Sequence, residues 1–220
     1  MRAARLILRC LCLFGFALLL GSGARAADPI SREQALRNLG NPEAVVRRAA
    51  AVRLAEIGRM QDAQALLPRL KDADEDVREA TEIALWAVWS RSGDAKVDAL
   101  LAQGTLAMNM GQFEQALALF NRVVIEKPAF AEGWNKRATV YFLMGQPAKS
   151  LSDCHEVIKR NPHHFGALSG YGQLYMQLGE PEKALQYFER ALAVNPGMEG
   201  VAANIEILKR NMEQKRRRMI

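Results

Sequence analysis

Cysteine is scarce in this chain of 220 residues, with three in all, and two of them, Cys10 and Cys12, sit in or beside an apolar N-terminal run. Beyond that run only Cys154 is left, so the rest of the chain can form no intrachain disulfide. Histidine is equally sparse: His155, His163 and His164. No HExxH pair occurs, no glycine-rich phosphate loop precedes a helix, and there is no G-x-S-x-G elbow. The run Asp153-Cys154-His155-Glu156 gathers ligand-type residues. Consecutive positions on a helix point in different directions, so the run implies no metal centre. The reading that follows is of a protein without catalytic residues, cofactor or metal.

What is present begins with the leader. Arg2, Arg5 and Arg9 precede an apolar stretch ending Phe14-Gly-Phe-Ala-Leu-Leu-Leu20, and Ala24-Arg-Ala26 follows. A basic start, a short apolar run and small residues at a cleavage position are the anatomy of a secretory signal peptide. Arg9 interrupts the run, which is short for a spanning helix of about 20 apolar residues. The expectation is cleavage after Ala26 and a periplasmic or otherwise exported product; the alternative is an uncleaved N-terminal anchor. The leader carries four arginines and no acid, so 26 basic groups face 24 acids in the mature chain, a net charge of +2. Lys209, Arg210 and Lys215-Arg-Arg-Arg218 against Glu213 put +5 at one end, which leaves about −3 on the rest of the mature chain. The pI of 9.4 is therefore no signature of nucleic-acid binding. The basic tail fits either weak contact with anionic lipid or a solvated helix end whose cations suit the helix dipole.

The strongest pattern is periodic. Pro128, Pro162 and Pro196 stand 34 residues apart, and Gly111, Gly145 and Gly179 keep the same step. A fixed period of this length marks stacked helical repeats. The units are 97–130, 131–164 and 165–198, within a segment 95–198, and each reads as two helices joined by a turn. Small residues, Gly104, Ala138 and Gly172, stand where first helices must approach their neighbours. Leu100, Trp134 and Leu168 precede them by four, and Ala107, Tyr141 and Tyr175 follow by three, on one core face. After each glycine turn Pro147 and Pro181, with Phe113 in the first unit, open the second helix. The second helices carry Ala116, Ser150 and Ala184, then Phe120, Cys154 and Phe188 four residues on, then Val123, Val157 and Ala191. Ser150 and Cys154 depart from the pattern of their neighbours and predict looser packing in the middle unit. Cys154 falls on the buried face, as a structural thiol or, alternatively, a reactive one.

These residues resemble the tetratricopeptide repeat, W-x-x-L-G-x-x-Y…A-x-x-x-F…P, through Trp134, Ala138 and Tyr141, Gly172 and Tyr175, Ala116 with Phe120, and Ala184 with Phe188. The resemblance implies an all-α solenoid whose first helices line a concave groove. In this register the groove residues are Leu101, Thr105 and Met108; Asn135, Thr139 and Phe142; Ser169, Gln173 and Met176. Leu, Met and Phe among small polar residues suit an amphipathic helix or extended peptide. Alternatively, Met108, Phe142 and Met176 pack on neighbouring helices. The carboxylate-gripping variant of the family needs cations or amides where this chain has Leu101, Thr105, Gly166 and Gly170.

A second periodicity precedes the first. Val46-Arg47 and Val77-Arg78 are 31 residues apart, within Asn41-Pro-Glu-Ala-Val-Val-Arg-Arg-Ala and Asp72-Ala-Asp-Glu-Asp-Val-Arg-Glu-Ala. Each opens on a helix-capping residue and continues as an apolar stripe: Leu54 and Ile57, then Ile83, Leu85 and Trp86. This segment, 27–94, resembles the short HEAT-like repeats also found in bilin lyases; a plain α-hairpin extension of the array is the alternative. The resemblance implies that Arg47 and Arg78 bond acids or carbonyls between repeats and that this portion extends the binding surface. At the other end, residues 199–220, Val201, Ile205, Leu208 and Met212 form one face of a closing helix. The expected function is an exported scaffold that binds another protein, of the envelope or secreted, in its groove. A self-associating or membrane-tethered structural component is the second expectation, and a lyase-like, ligand-handling factor the third.

Overall fold

The computed structural model describes residues 30–218; the leader and its cleavage position lie outside them. Among the described residues there are eleven α-helices, two short 3-10 turns and no strand. An N-terminal unit holds α1 (Arg32–Asn38), α2 (Ala44–Ile57), α3 (Ala63–Leu66) and α4 (Glu75–Trp89). Three helix pairs follow: α5 (Ala95–Asn109) with α6 (Phe113–Glu126), α7 (Ala131–Leu143) with α8 (Pro147–Arg160), and α9 (Phe165–Gln177) with α10 (Pro181–Val194). Helix α11 (Glu199–Arg218) packs on α10 and closes the array. The chain is an all-α helical-repeat solenoid.

The 34-residue pattern sets the turns. Gly111, Gly145 and Gly179 have φ of 74°, 68° and 71°, a left-handed conformation that costs glycine nothing. The amides three residues after α5, α7 and α9, those of Gln112, Gln146 and Glu180, bond back to the carbonyls of Ala107, Tyr141 and Tyr175 at 2.8–2.9 Å and tie the turn off. Pro147 and Pro181 occupy the first position of α8 and α10, where no N–H partner is missed.

Core packing differs between repeats. In the first, Phe120 is fully buried against Gly104: a Cβ there would stand 2.6 Å from the ring. In the third, Phe188 fills the same place against Gly172. The middle repeat has Ala138 and Cys154 instead, and its core splits into two small clusters around Ala138–Leu174 and Val157–Ala167. The looser middle packing read from Ser150 and Cys154 is visible here.

The N-terminal unit shows its own internal repetition. Arg47 Nη1 donates to the carbonyls of Asn41 and Pro42 at 3.0 and 2.8 Å, and Arg78 Nη1 donates to those of Asp72 and Ala73 at 2.9 and 3.0 Å. Only Arg47 also crosses to the other helix pair, gripping Asp72 through Nε and Nη2 at 2.8 and 2.6 Å. Asn41 and Asp72 are not helix caps, as the sequence suggested; each accepts the amide two residues on, and Asp74 caps α4. Ile83 is exposed, while Leu54 and Leu85 are fully buried.

This unit lies across the turns between later repeats. Trp86 and Trp89 of α4 meet Phe165 at the start of α9, with centroids 5.1 and 5.2 Å apart. Asn195, beyond α10, donates to Glu82 at 2.8 Å. Arg91, just after α4, caps the C-terminal carbonyls of α2 (Ala55, Glu56, Gly58), a favourable place for a cation. The two tryptophans thus pack the N-terminal unit against the start of α9.

Candidate peptide-binding groove

The first helices α5, α7 and α9 neighbour one another along one side of the array. Between α7 and α9 the surface opens into a pocket of about 190 Å³, with α8 as its floor. Its α7 wall is Asn135, Ala138, Thr139 and Phe142; its α9 wall includes Ser169, Gly170, Gln173 and Leu174. Ser150 and Cys154 form the floor. Small side chains on both walls hold the gap open, since glycine and alanine at the helix faces leave nothing to fill it.

Five of the nine groove residues read from the sequence therefore meet around one pocket: Asn135, Thr139, Phe142, Ser169 and Gln173. Met176 is 37% exposed, three residues beyond Gln173 on α9. The first-repeat trio behaves differently. Leu101 is only 4% exposed and belongs to the core of that repeat, a correction to its groove assignment. Met108 is half-buried and packs on the same core, and the half-buried Thr105 turns its hydroxyl to the Leu101 carbonyl at 2.8 Å. The reason for the Leu101 burial is its apolar side chain, which joins the cluster running from α5 and α6 to Val140 of α7, where the same position in the third repeat is Ser169.

The polar groups are mostly committed. Ser150 donates to the Ala138 carbonyl at 2.8 Å and Thr139 to that of Asn135 at 3.0 Å. Asn135 donates its amide to Glu132 at 3.1 Å. Behind it, the fully buried His164 accepts the Ala167 amide on Nδ1 at 3.1 Å, so Nε2 carries the proton and donates to Glu132 at 2.9 Å. Lys136 Nζ lies 3.4 Å from the other Glu132 oxygen, an ion pair without hydrogen-bond geometry. Cys154 is buried, and that burial, with the nearby Asp153 charge, pushes its thiol up to about 12 against a partial offset from Ser150. It is a neutral thiol at physiological pH. Its sequence neighbours diverge: Asp153 pairs with Arg137 at 2.7 Å, Glu156 with Arg160, and His155 is exposed. Among the described residues no three potential ligands gather around a metal position.

One wall was not legible in the sequence. Gly166, on the pocket rim, lies so close under Trp86 that a Cβ there would overlap the indole. The N-terminal unit thereby touches the pocket, and the Asn135–Glu132–His164 chain runs from the pocket to Trp89, which stacks on His164.

Two models of the tetratricopeptide repeat match residues 101–154 and 141–205. Residues 101–205 are thus similar to tetratricopeptide repeats. A TPR repeat-containing protein of Rhizobium etli is 35% identical over 79 residues, which are 36% of this chain and 38% of that protein. The match thus spans well under half of the relative. Among solved structures, the first TPR of Spaghetti bound to an HSP90 peptide is 21% identical, with a TM-score of 0.53, over 55% of this chain and 96% of that one. The Sgt2 TPR domain from Aspergillus fumigatus is 23% identical at 0.54, over 56% and 83%. MamA protein is 18% identical at 0.50, over 70% and 84%. At these identities the structural likeness speaks to the TPR fold.

Proposed function

We propose that this chain is an exported interaction module that holds a peptide or helix of an envelope protein against α7 and α9 of its TPR array, and acts by binding rather than by chemistry. The observation that carries this reading is the pocket between α7 and α9, which gathers Asn135, Thr139, Phe142, Ser169 and Gln173 on an array of an interaction fold. One structural neighbour is described as bound to an HSP90 peptide, which supports a peptide as the kind of partner. Export rests on the leader sequence, and the N-terminal unit, read as a HEAT-like pair, braces the groove.

A photocrosslinking residue at Gln173, in cells making the full chain, tests this. The expected result is an adduct with a distinct envelope protein, reduced by Phe142→Ala with Met176→Ala, on a bait whose N-terminus is Ala27. A cytosolic bait retaining its leader, or no adduct at Gln173, would overturn it.

A second reading, self-association, has its own observation. Leu106 on α5 and Met110 just after it are 61% and 64% exposed and, with Ala118 and Leu119 of α6, line an open, mainly apolar cleft on the first repeat. Sedimentation of the purified chain, with and without Leu106→Glu, distinguishes a dimer through this face from a monomer.

A further inference from the structure

Three positions 34 residues apart, Phe120, Cys154 and Phe188, are equivalent in the repeats. Phe120 and Phe188 each press a phenyl ring against the glycine of the paired first helix, Gly104 and Gly172. Cys154 stops a ring short, and the pocket of about 190 Å³ opens there, lined by both Ala138 and Cys154. An apolar cavity of roughly 150 Å³ is enough to admit benzene. The opposite wall is bare as well, since a Cβ on Gly170 would come no nearer than 3.9 Å to the Cys154 sulfur. Ser169 lines the pocket at 6% exposure and places a hydroxyl beside it. At the rim, Gln173 offers an exposed amide able to pair with an extended peptide main chain.

Resting on the groove reading, we propose that this pocket takes one aromatic side chain of a partner peptide, in the space where the second repeat lacks the ring that its neighbours supply for themselves. The first and third repeats seat a benzyl group against a glycine of the first helix; here Ala138 holds the glycine's place, so the partner's ring lies beside its methyl group, toward Gly170 and α9. The partner's ring packs on Ala138, Leu174 and the thiol of Cys154, while Ser169 and Gln173 hold polar groups of the same peptide.

The test is selection of displayed random peptides on the full chain, followed by affinity measurement with the best synthetic peptide. The expected peptides share one aromatic residue, and its change to alanine weakens binding at least about tenfold. Cys154→Phe, which puts the ring in from the floor, weakens binding by a similar factor, whereas Cys154→Ala keeps it. Gly170→Leu fills the pocket from the other wall and serves if circular dichroism shows Cys154→Phe to be unfolded. Enriched peptides with no shared aromatic, or a filled and folded variant that binds like the unaltered chain, would overturn the aromatic pocket and leave the groove reading standing. Failure to enrich any peptide would overturn both.

Discussion

The His164 imidazole lies on the Trp89 indole with their centroids 4.7 Å apart and their planes 21° from parallel. One residue belongs to the N-terminal unit and the other to the second tetratricopeptide repeat, so this stack joins the two parts of the chain. Trp86 meets the same imidazole edge-on at 5.4 Å. Trp89 is 2% exposed, and its ring area is removed from water only while the unit stays docked.

Trp89→Ala should therefore destabilise the protein by about 3–5 kcal/mol, the usual cost of deleting a buried tryptophan. The loss should concentrate at the junction. Hydrogen exchange would show faster exchange of the Ala167 amide, which depends on His164 for its partner. Unchanged exchange there, alongside a general loss of stability, would show that the tryptophan serves only its own unit.

Two glycines on one helix should respond in opposite directions to the same change. Gly172 faces the fully buried Phe188 ring, and a methyl group there has nowhere to go. Gly172→Ala should cost about 1–3 kcal/mol through overpacking, despite the better helix propensity of alanine. Gly170 looks into the open pocket, so Gly170→Ala should gain up to about 1 kcal/mol. Urea denaturation of the two variants checks the contrast, and equal signs would contradict the difference in packing between the repeats.

That contrast also marks how far the sequence could be read. A 34-residue register places Gly111, Gly145 and Gly179 in the turns and Gly104 and Gly172 under the phenylalanines, because each depends on neighbours within its own repeat. The same register located the residues around the pocket, and the missing ring at Cys154 was visible as a break in the pattern. Leu101 was misplaced because its groove position followed from helical phase alone, while its apolar side chain joins the cluster that reaches Val140 of α7. The docking of Trp86 and Trp89 on His164 and Phe165 was not legible, since it joins residues more than 70 positions apart that no period relates.

Acid should weaken the N-terminal unit through Asp72. The Arg47 fork holds this carboxyl below its ordinary value against the opposing effect of burial, helped by the Asp74 amide and Arg69. Because the folded value is depressed, the stabilisation is full above the unfolded value of about 3.9 and is lost as pH falls through the folded value. Asp62, paired with Arg32, adds in the same direction. Asp72→Asn should lower stability at pH 7 and flatten its fall below about pH 4. Asp72→Ala, which removes the carboxylate shared by Arg47 and the Asp74 amide, should lower stability further. Thermal melts across this range check both, and an Asp72→Asn profile parallel to the parent would exclude Asp72 as the source.

Cys154 makes the opposite prediction at alkaline pH. Burial raises its thiol to about 12, so folding favours the neutral form. The associated stability is complete below the ordinary thiol value of about 8.5 and is lost as pH rises through the folded value. At pH 8 only about one native thiol in ten thousand is ionised, and the thiolate is the reactive form. Iodoacetamide should therefore label Cys154 at least about a hundredfold more slowly in the native protein than in guanidinium, with the native rate still climbing above pH 9. Labelling at equal rates in both states would mean that the pocket floor is open to water. An aromatic side chain seated there would then displace well-solvated groups rather than complete an apolar wall.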